Sequence, residues 1–279
     1  MGFSHTQYVC ARLAAVSLLA LLAGCATSEV TKEVALKQQI AQTEQKNNIA
    51  SLSDVIKGNP QDANALNLRG AAYGQSGEYQ RALADFNAAL SINPQFPQAY
   101  ANRALVYVRL RELPKAIADY DQALGIDPNY AAAYVGRGNI HRLQKNHPMA
   151  IADFTRAIEI DPDPVAHFNR GLSRQAVGQH GQAIDDFDNA LGFRANSPDV
   201  YKAKGLSELA LQKYEAAFDT FRKAAEGPKA YEAWALRGQA AEQMGAKKEA
   251  ARAYQRSIQI NPNFQPAREG LQRVGTGSA

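Results

Sequence analysis

Residues 63–94 decide the fold, and they read ANALNLRGAAYGQSGEYQRALADFNAALSINP. Leu66 and Gly70 begin an apolar series at helical spacing, and Gly77 interrupts that series. A second series follows, and Pro94 ends it because proline lacks a backbone donor and disfavours helix in the residue before it. The stretch therefore predicts two amphipathic helices joined by a short turn.

The same pattern recurs six times, at a spacing of 33 or 34 residues. One column of the pattern is alanine, at Ala82, Ala116, Ala150, Ala183, Ala217 and Ala250. Four residues later the pattern holds an aromatic, at Phe86, Tyr120, Phe154, Phe187, Phe221 and Tyr254. Twelve residues before each alanine it holds a small residue, at Gly70, Ala104, Gly138, Gly171, Gly205 and Gly238. Such a period predicts stacked helix pairs, because one pair cannot bury its apolar face alone.

In this order the residues resemble the tetratricopeptide repeat, over about residues 63–262. The resemblance implies an all-α fold, an α-solenoid of about six helix-turn-helix repeats. The repeats are expected at 63–96, 97–130, 131–163, 164–197, 198–230 and 231–263. The aromatic of the first helix is replaced in four of them, by His141, Arg174, Glu208 and Ala241.

Both ends of the array are predicted to be capped by helix. Residues 32–60 carry an apolar stripe that Pro60 closes, and they are interpreted as a degenerate repeat that caps the first full unit. Residues 264–279 begin with an amphipathic, charged segment up to Val274, which predicts a C-terminal capping helix followed by a tail. Terminal repeats of solenoids usually depart from the consensus in this way.

The N-terminus predicts export. A basic residue, Arg12, precedes a short apolar run over 13–23, which is typical of a secretory signal and too short for a membrane-spanning helix. The run ends in Leu22-Ala23-Gly24-Cys25, which resembles the bacterial lipobox. The resemblance implies that residues 1–24 are a lipoprotein signal peptide, that Cys25 is lipidated and that 25–31 is a tether. The alternatives are an ordinary signal peptide with a chance cysteine, and N-myristoylation at Gly2, which the apolar run disfavours.

Cysteine usage and charge agree with an exported protein. Cys10 lies in the predicted signal, so the mature chain would keep only Cys25 and could form no internal disulfide. By resemblance to enteric lipoproteins, Ala26 lacks the aspartate that retains lipoproteins at the inner membrane. The expected location is therefore the bacterial outer membrane, facing the periplasm. The net charge is +4, and basic and acidic residues are interspersed along the chain. Nucleic-acid binding would favour a clustered basic face instead.

One charged column admits two interpretations. A basic residue precedes each small residue of the first helices, at Arg69, Arg103, Arg137, Arg170, Lys204 and Arg237. Sixteen residues after the first four stand Asp85, Asp119, Asp153 and Asp186. The column could form a basic stripe for an acidic ligand, or a set of partly exposed Arg–Asp pairs that align the repeats. The second interpretation is favoured because each of these arginines has its own aspartate, and such pairs would add only ~0–1 kcal/mol each.

The sequence contains no recognisable catalytic motif, metal-ligand motif or phosphate-binding glycine loop. We therefore expect no enzyme activity, no cofactor and no metal site. The resemblance instead implies a concave groove lined by first-helix residues. Its expected lining is Asn67, Leu68, Asn102, Leu105, Val135, Asn139, Phe168, Asn169, Leu172, Leu206 and Leu209. Amides and apolar side chains together suit an extended protein or peptide partner, although packing between repeats would also use them.

The features together favour a lipid-anchored periplasmic scaffold or adaptor. The resemblance extends to outer-membrane lipoproteins that act as adaptors of envelope proteases and peptidoglycan enzymes. Two alternatives stay open at this point. One is an assembly factor for a pilus or secretion pore, and the other is a self-associating structural envelope protein, which would include a homodimer.

Overall fold

The computed structural model describes residues 34, 37, 39–40, 42–193, 196–227 and 229–275, and all regular secondary structure in these ranges is helical. The predicted signal and Cys25 lie outside the described residues. Helix α1 covers 42–58. The others are α2 (Ala63–Gln75), α3 (Tyr79–Ile92), α4 (Pro97–Arg109), α5 (Leu113–Ile126), α6 (Ala131–Leu143), α7 (His147–Ile160), α8 (Pro164–Ala176), α9 (His180–Phe193), α10 (Pro198–Ala210), α11 (Tyr214–Ala224), α12 (Ala230–Gln243), α13 (Lys247–Ile260) and α14 (Gln265–Gly275).

The helices form consecutive pairs, as predicted. The pairs that pack as one repeat are α2 with α3, α4 with α5, α6 with α7, α8 with α9, α10 with α11, and α12 with α13. The described residues divide into two compact units, one ending at Pro94 and the other beginning at Gln95. Within the second unit α6 also contacts α4 and α8, α8 contacts α10, and α12 contacts α14. The predicted all-α solenoid of helix-turn-helix repeats is confirmed.

The column of small residues is explained by the aromatic column. A Cβ atom added to Gly171 would lie 2.6 Å from Cε1 of Phe187, and one added to Gly205 would lie 2.6 Å from Cε1 of Phe221. Both phenylalanine side chains are fully buried. The first helix therefore has no side chain where the aromatic ring of the second helix lies against it, so the pair packs closely.

The turn between the two helices of a repeat needs a left-handed residue. Gly77 has φ of +80°, and Arg111, which occupies the corresponding turn of the next repeat, has φ of 61°. Glycine adopts this conformation without the steric cost that a side chain adds. This geometry is the reason that Gly77 interrupts the helical pattern in the sequence.

The favoured interpretation of the charged column, paired arginines and aspartates, is confirmed. Arg103 donates from Nε and Nη2 to the two carboxylate oxygens of Asp119, at 2.8 and 2.7 Å. Bidentate pairs of the same kind join Arg69 to Asp85, Arg137 to Asp153 and Arg170 to Asp186. The expectation of partly exposed pairs was wrong for the aspartates, which are all buried. Burial makes each pair far more costly to break than a surface ion pair.

One departure from the repeat pattern strengthens such a pair. Arg174 replaces the aromatic of the fourth repeat, and its Nη1 atom donates to Oδ2 of Asp186 at 2.9 Å. In the first and second repeats the aromatic is present instead, and Tyr73 and Tyr107 lie beside the guanidinium groups of Arg69 and Arg103. Asp186 therefore accepts from two arginines while its side chain is only 1% exposed.

Helix α1 packs on the first repeat as the second helix of a pair would. Nε2 of Gln45 donates to the carbonyl of Ala72 at 2.9 Å. Nη1 of Arg69 donates to Oγ of Ser53 at 3.1 Å. Nη1 of Arg137 donates in the same way to Asp121, which lies on the second helix of the preceding repeat. Helix α1 thus supplies half a repeat against α2.

Candidate functional site

A cleft of about 520 Å³ lies at the C-terminal end of the second unit, between the first helices of the last two repeats and helix α14. Its lining residues are Lys202, Leu206, Glu232, Ala235, Leu236, Gln239, Tyr254, Phe264, Pro266, Glu269 and Arg273. Helices α10, α12 and α14 supply most of them. Because first helices line the expected groove of this architecture, the cleft is the candidate functional site.

Helix α14 completes the cleft because it continues the repeat. Gly270 stands sixteen residues after Tyr254, as Gly136 stands sixteen residues after Tyr120. In both places an added Cβ would collide with the tyrosine ring, at 2.3 Å for Gly270 and 2.2 Å for Gly136. The helix therefore docks as the first helix of a seventh repeat would, and it adds a wall to the cleft.

The cleft combines an apolar floor with charged groups. Leu206 is 38% exposed there, and Phe264 is held in place by an edge contact with Tyr231, with ring centroids 4.9 Å apart. Nζ of Lys202 donates to Oε2 of Glu232 at 3.0 Å. That hydrogen bond lowers the pKa of the Glu232 carboxyl below its ordinary value, against the opposing effect of burial.

A second ion pair ties α14 to α12. Arg273 donates from Nε and Nη2 to the two oxygens of Glu242, at 2.9 and 3.0 Å. The hydroxyl of Tyr254 donates to Glu242 at 2.7 Å. The hydrogen bond from Arg273 lowers the pKa of Glu242, and the hydroxyl adds to this effect. Glu242 is therefore ionised at neutral pH and holds the position of α14.

The arrangement is suited to binding a peptide segment. An apolar floor with charged groups of both signs can take an apolar side chain and the polar backbone of a peptide segment. Among the described residues no group of three or more His, Cys, Asp and Glu side chains could hold a metal ion. Within the same residues, no helix combines the length and the hydropathy needed to cross a membrane.

The predicted groove residues differ widely in exposure. Leu68, Leu105 and Leu206 are exposed, at 56%, 54% and 38%. Asn67 and Asn169 are buried. The partly buried members are Asn102, Val135, Asn139, Phe168, Leu172 and Leu209. Of the whole predicted set, Leu206 alone is among the residues that line the cleft.

Several predicted groove residues contribute to packing. The Phe168 ring lies 6.0 Å from the ring of Phe187, and Phe168 and Leu172 pack on the buried cluster around Phe187. Leu209 packs on the cluster that contains Phe221. Nδ2 of Asn169 donates to the carbonyl of Val165 in its own helix at 3.0 Å. A role for these residues in partner binding stays a prediction.

Most of the cleft was not predicted from the sequence. The lining residues outside the predicted groove are Lys202, Glu232, Ala235, Leu236, Gln239, Tyr254, Phe264, Pro266, Glu269 and Arg273. The signal for the α14 members was the repeat period, continued one unit beyond Pro262. Gly270 indicates that continuation, because it corresponds to Gly136. This alignment places Glu269 and Arg273 on the helix face that corresponds to the groove.

Comparison with known families agrees with this architecture. Two family models for the tetratricopeptide repeat match the chain, one at residues 63–96, 97–130, 131–164 and 231–264 and the other at residues 168–230. Together they cover most of the sequence, so the chain belongs to the tetratricopeptide repeat family. Proteins of this family bind peptide or protein partners and generally have no enzymatic activity. No curated protein sequence matches the chain.

Solved structures show the same fold at low sequence identity. YrrB, a repeat protein with an unusual peptide-binding site, is 22% identical with a TM-score of 0.63, over 67% of this chain and 97% of that one. PilF of Pseudomonas aeruginosa is 22% identical with a TM-score of 0.64, over 76% and 97%. PilW, a type IV pilus biogenesis factor, is 24% identical with a TM-score of 0.60, over 76% and 97%.

Proposed function

We propose that this chain is a lipid-anchored scaffold of the bacterial envelope, and that it binds a segment of a partner protein in the cleft between α10, α12 and α14. The observation that carries the proposal is the cleft itself. It has a volume of about 520 Å³, an exposed leucine on its floor and ion pairs that fix its walls. A prearranged cleft lowers the cost of ordering a binding site.

The proposed location rests on the N-terminal sequence. Arg12, the apolar run over 13–23 and Leu22-Ala23-Gly24-Cys25 match what lipoprotein export requires. A lipid on Cys25 would anchor the chain to the periplasmic face of the outer membrane, and Ala26 favours that membrane over the inner one. The scaffold would then hold its partner at the membrane surface, as an adaptor of an envelope protease or a peptidoglycan enzyme does.

A second candidate function is assembly of a pilus or secretion pore. Of the similar structures, PilW is that of a type IV pilus biogenesis factor, and this chain covers 97% of both PilW and PilF. Their identity to this chain is low, so the likeness supports the candidate through the fold. Both candidate functions require an anchor and a binding cleft, and the identity of the captured partner separates them.

Anchoring is tested by Cys25→Ser. We expect the variant to keep the unprocessed signal and to incorporate no fatty acid, because the thiol of Cys25 is the proposed acceptor of the lipid. The measurement is incorporation of a labelled fatty acid, with the precursor mass as a second reading. Cys10→Ser is the matched control and should be processed normally. Labelled lipid on the Cys25→Ser protein would refute the proposed anchor.

The cleft is tested by Leu206→Ser, with Met149→Ser as the matched control. Both changes remove an exposed apolar side chain from a helix, but Met149 does not line the cleft. We expect Leu206→Ser to reduce recovery of the crosslinked partner from intact cells by about tenfold, since interface anchors are commonly worth more than 1 kcal/mol. Both variants should melt within a few degrees of the wild type, because exposed substitutions have small effects.

Two outcomes would contradict the proposed cleft. One is wild-type recovery of the same partner by Leu206→Ser, and the other is an equal loss in both variants. Identification of the partner then separates the candidate functions: an envelope protease or peptidoglycan enzyme fits the adaptor, and a pilus or secretion component fits the assembly factor.

A further inference from the structure

The Arg–Asp pairing is incomplete in the last repeat. Arg237 occupies the arginine position there, but Ala253 stands sixteen residues later, where four other repeats have aspartate. A second acceptor position, on the second helix of the preceding repeat, holds Asp121 for Arg137 and Thr155 for Arg170. For Arg237 that position holds Arg222.

The guanidinium of Arg237 is therefore left with aromatic neighbours. Its Cζ atom lies 4.1 Å from the centroid of the Phe218 ring and 5.1 Å from that of Trp234. Its Nε atom is buried and has no hydrogen-bond partner among the described residues. Burial, together with repulsion from Arg222, lowers the pKa of Arg237, and Asp219 opposes this shift. A partly buried guanidinium without a hydrogen-bonded carboxylate is costly, and a carboxylate beside it would compensate its charge.

The space for such a carboxylate is open. A pocket of about 300 Å³ adjoins Arg237 and is lined by Phe218, Trp234, Arg237, Glu249, Arg252, Ala253 and Arg256. None of these residues lines the cleft between α10, α12 and α14. Ala253 borders the pocket, and it has no carboxylate where four earlier repeats have aspartate. Arg222, Arg252 and Arg256 outnumber the nearby acids Glu249 and Asp219, so the surroundings favour an anion.

We propose that Arg237, with Trp234 and Phe218, forms a second binding site, and that it takes an aspartate or glutamate side chain from a partner polypeptide. The incoming carboxylate would accept from the terminal Nη atoms of Arg237 where they adjoin this pocket, because Nε itself is closed to solvent. The two rings would contact the flanking residues of the partner. This site does not depend on the proposed role of the cleft.

The test uses the fluorescence of Trp234, which is the only tryptophan in the sequence. The mature chain is titrated with acetyl-Ala-Ala-Asp-Ala-Ala-amide and with the same peptide carrying asparagine. We expect the aspartate peptide to bind about tenfold or more tightly, the ratio that a charge-assisted hydrogen bond gives over a neutral one. Arg237→Gln should bind both peptides equally weakly and should melt no lower than the wild type, since it removes an unpaired buried donor.

Ala253→Asp is the decisive variant. It restores the missing carboxylate within the chain, so we expect it to raise the melting temperature and to abolish binding of the aspartate peptide. Arg268→Gln, at an exposed arginine that lines neither the cleft nor this pocket, should retain the preference for aspartate. Equal binding of the two peptides to the wild type would overturn the proposal, as would undiminished peptide binding by Ala253→Asp. Inorganic phosphate is titrated in parallel, and a response to phosphate without a response to the aspartate peptide would also overturn it.

Discussion

Asp186→Ala is expected to destabilise the protein by about 3–5 kcal/mol, the cost of leaving buried charges without their partner. The Asp186 side chain is 1% exposed, and it accepts from Arg170 at 2.7 Å and from Arg174 at 2.9 Å. Its removal would leave two guanidinium groups without the carboxylate that compensates their loss of water. Neither arginine can simply move out to solvent, because both are themselves largely buried.

The matched control for this prediction is Asp185→Ala, one residue earlier on the same helix. Asp185 is exposed, so its replacement should change the free energy of unfolding by less than about 0.5 kcal/mol. Urea denaturation followed by circular dichroism measures both variants. Asp186→Asn keeps the size of the side chain and should still lose most of the stability, because the charge is what the arginines require. If Asp185→Ala and Asp186→Ala proved equally stable, the Arg–Asp pairs would contribute only as exposed ion pairs do.

The fold could be predicted from the sequence because each repeat shows the same spacing of small and aromatic residues. Gly171 and Phe187, for example, indicate the two sides of one close contact between helices. Five other pairs of a small residue and an aromatic residue have the same spacing. The paired charges were predictable for the same reason, since Arg170 and Asp186 repeat the spacing of Arg103 and Asp119. Periodicity converts a weak local signal into a strong one when every copy agrees.

The site was less predictable because exposure depends on what packs beside each helix. Phe168 and Leu206 were both assigned to the groove, yet Phe168 packs on Phe187 whereas Leu206 lies open on the floor of the cleft. Spacing along the chain gives the face of a helix but not the neighbours that cover it. The cleft also depends on α14, which continues the repeat at Gly270 through its contact with Tyr254.

The burial of the aspartates could not be predicted from the sequence for a related reason. A carboxylate sixteen residues from an arginine suggests an ion pair, and isolated ion pairs are normally at the surface. The stacking of repeats encloses the pair between helices, which reduces the exposed fraction of the Asp153 side chain to 6%. Stacking is a property of the whole array, so no single repeat reveals it.

Gly138→Leu is expected to destabilise the protein by about 3 kcal/mol, the upper end of the usual range for overpacking. An added Cβ at this position would lie 3.0 Å from Cε1 of Phe154 and 3.2 Å from Cβ of Asp153. The remaining leucine atoms would have to displace the buried Phe154 ring. They would also press on Asp153, which is bound to Arg137 at 2.7 Å, so overpacking and loss of an ion pair would act together.

Gly138→Ala separates helix propensity from packing. Replacing glycine with alanine inside a helix gains up to about 1 kcal/mol, and the methyl group requires neighbours to shift by only a few tenths of an ångström. The second repeat already has Ala104 at this position, fully buried, beside the Tyr120 ring. We therefore expect the alanine variant to melt close to the wild type and the leucine variant to melt well below it. A leucine variant as stable as the alanine variant would mean that the Gly138–Phe154 contact is looser than the structure describes, and that the small-residue column does not set the distance between the helices.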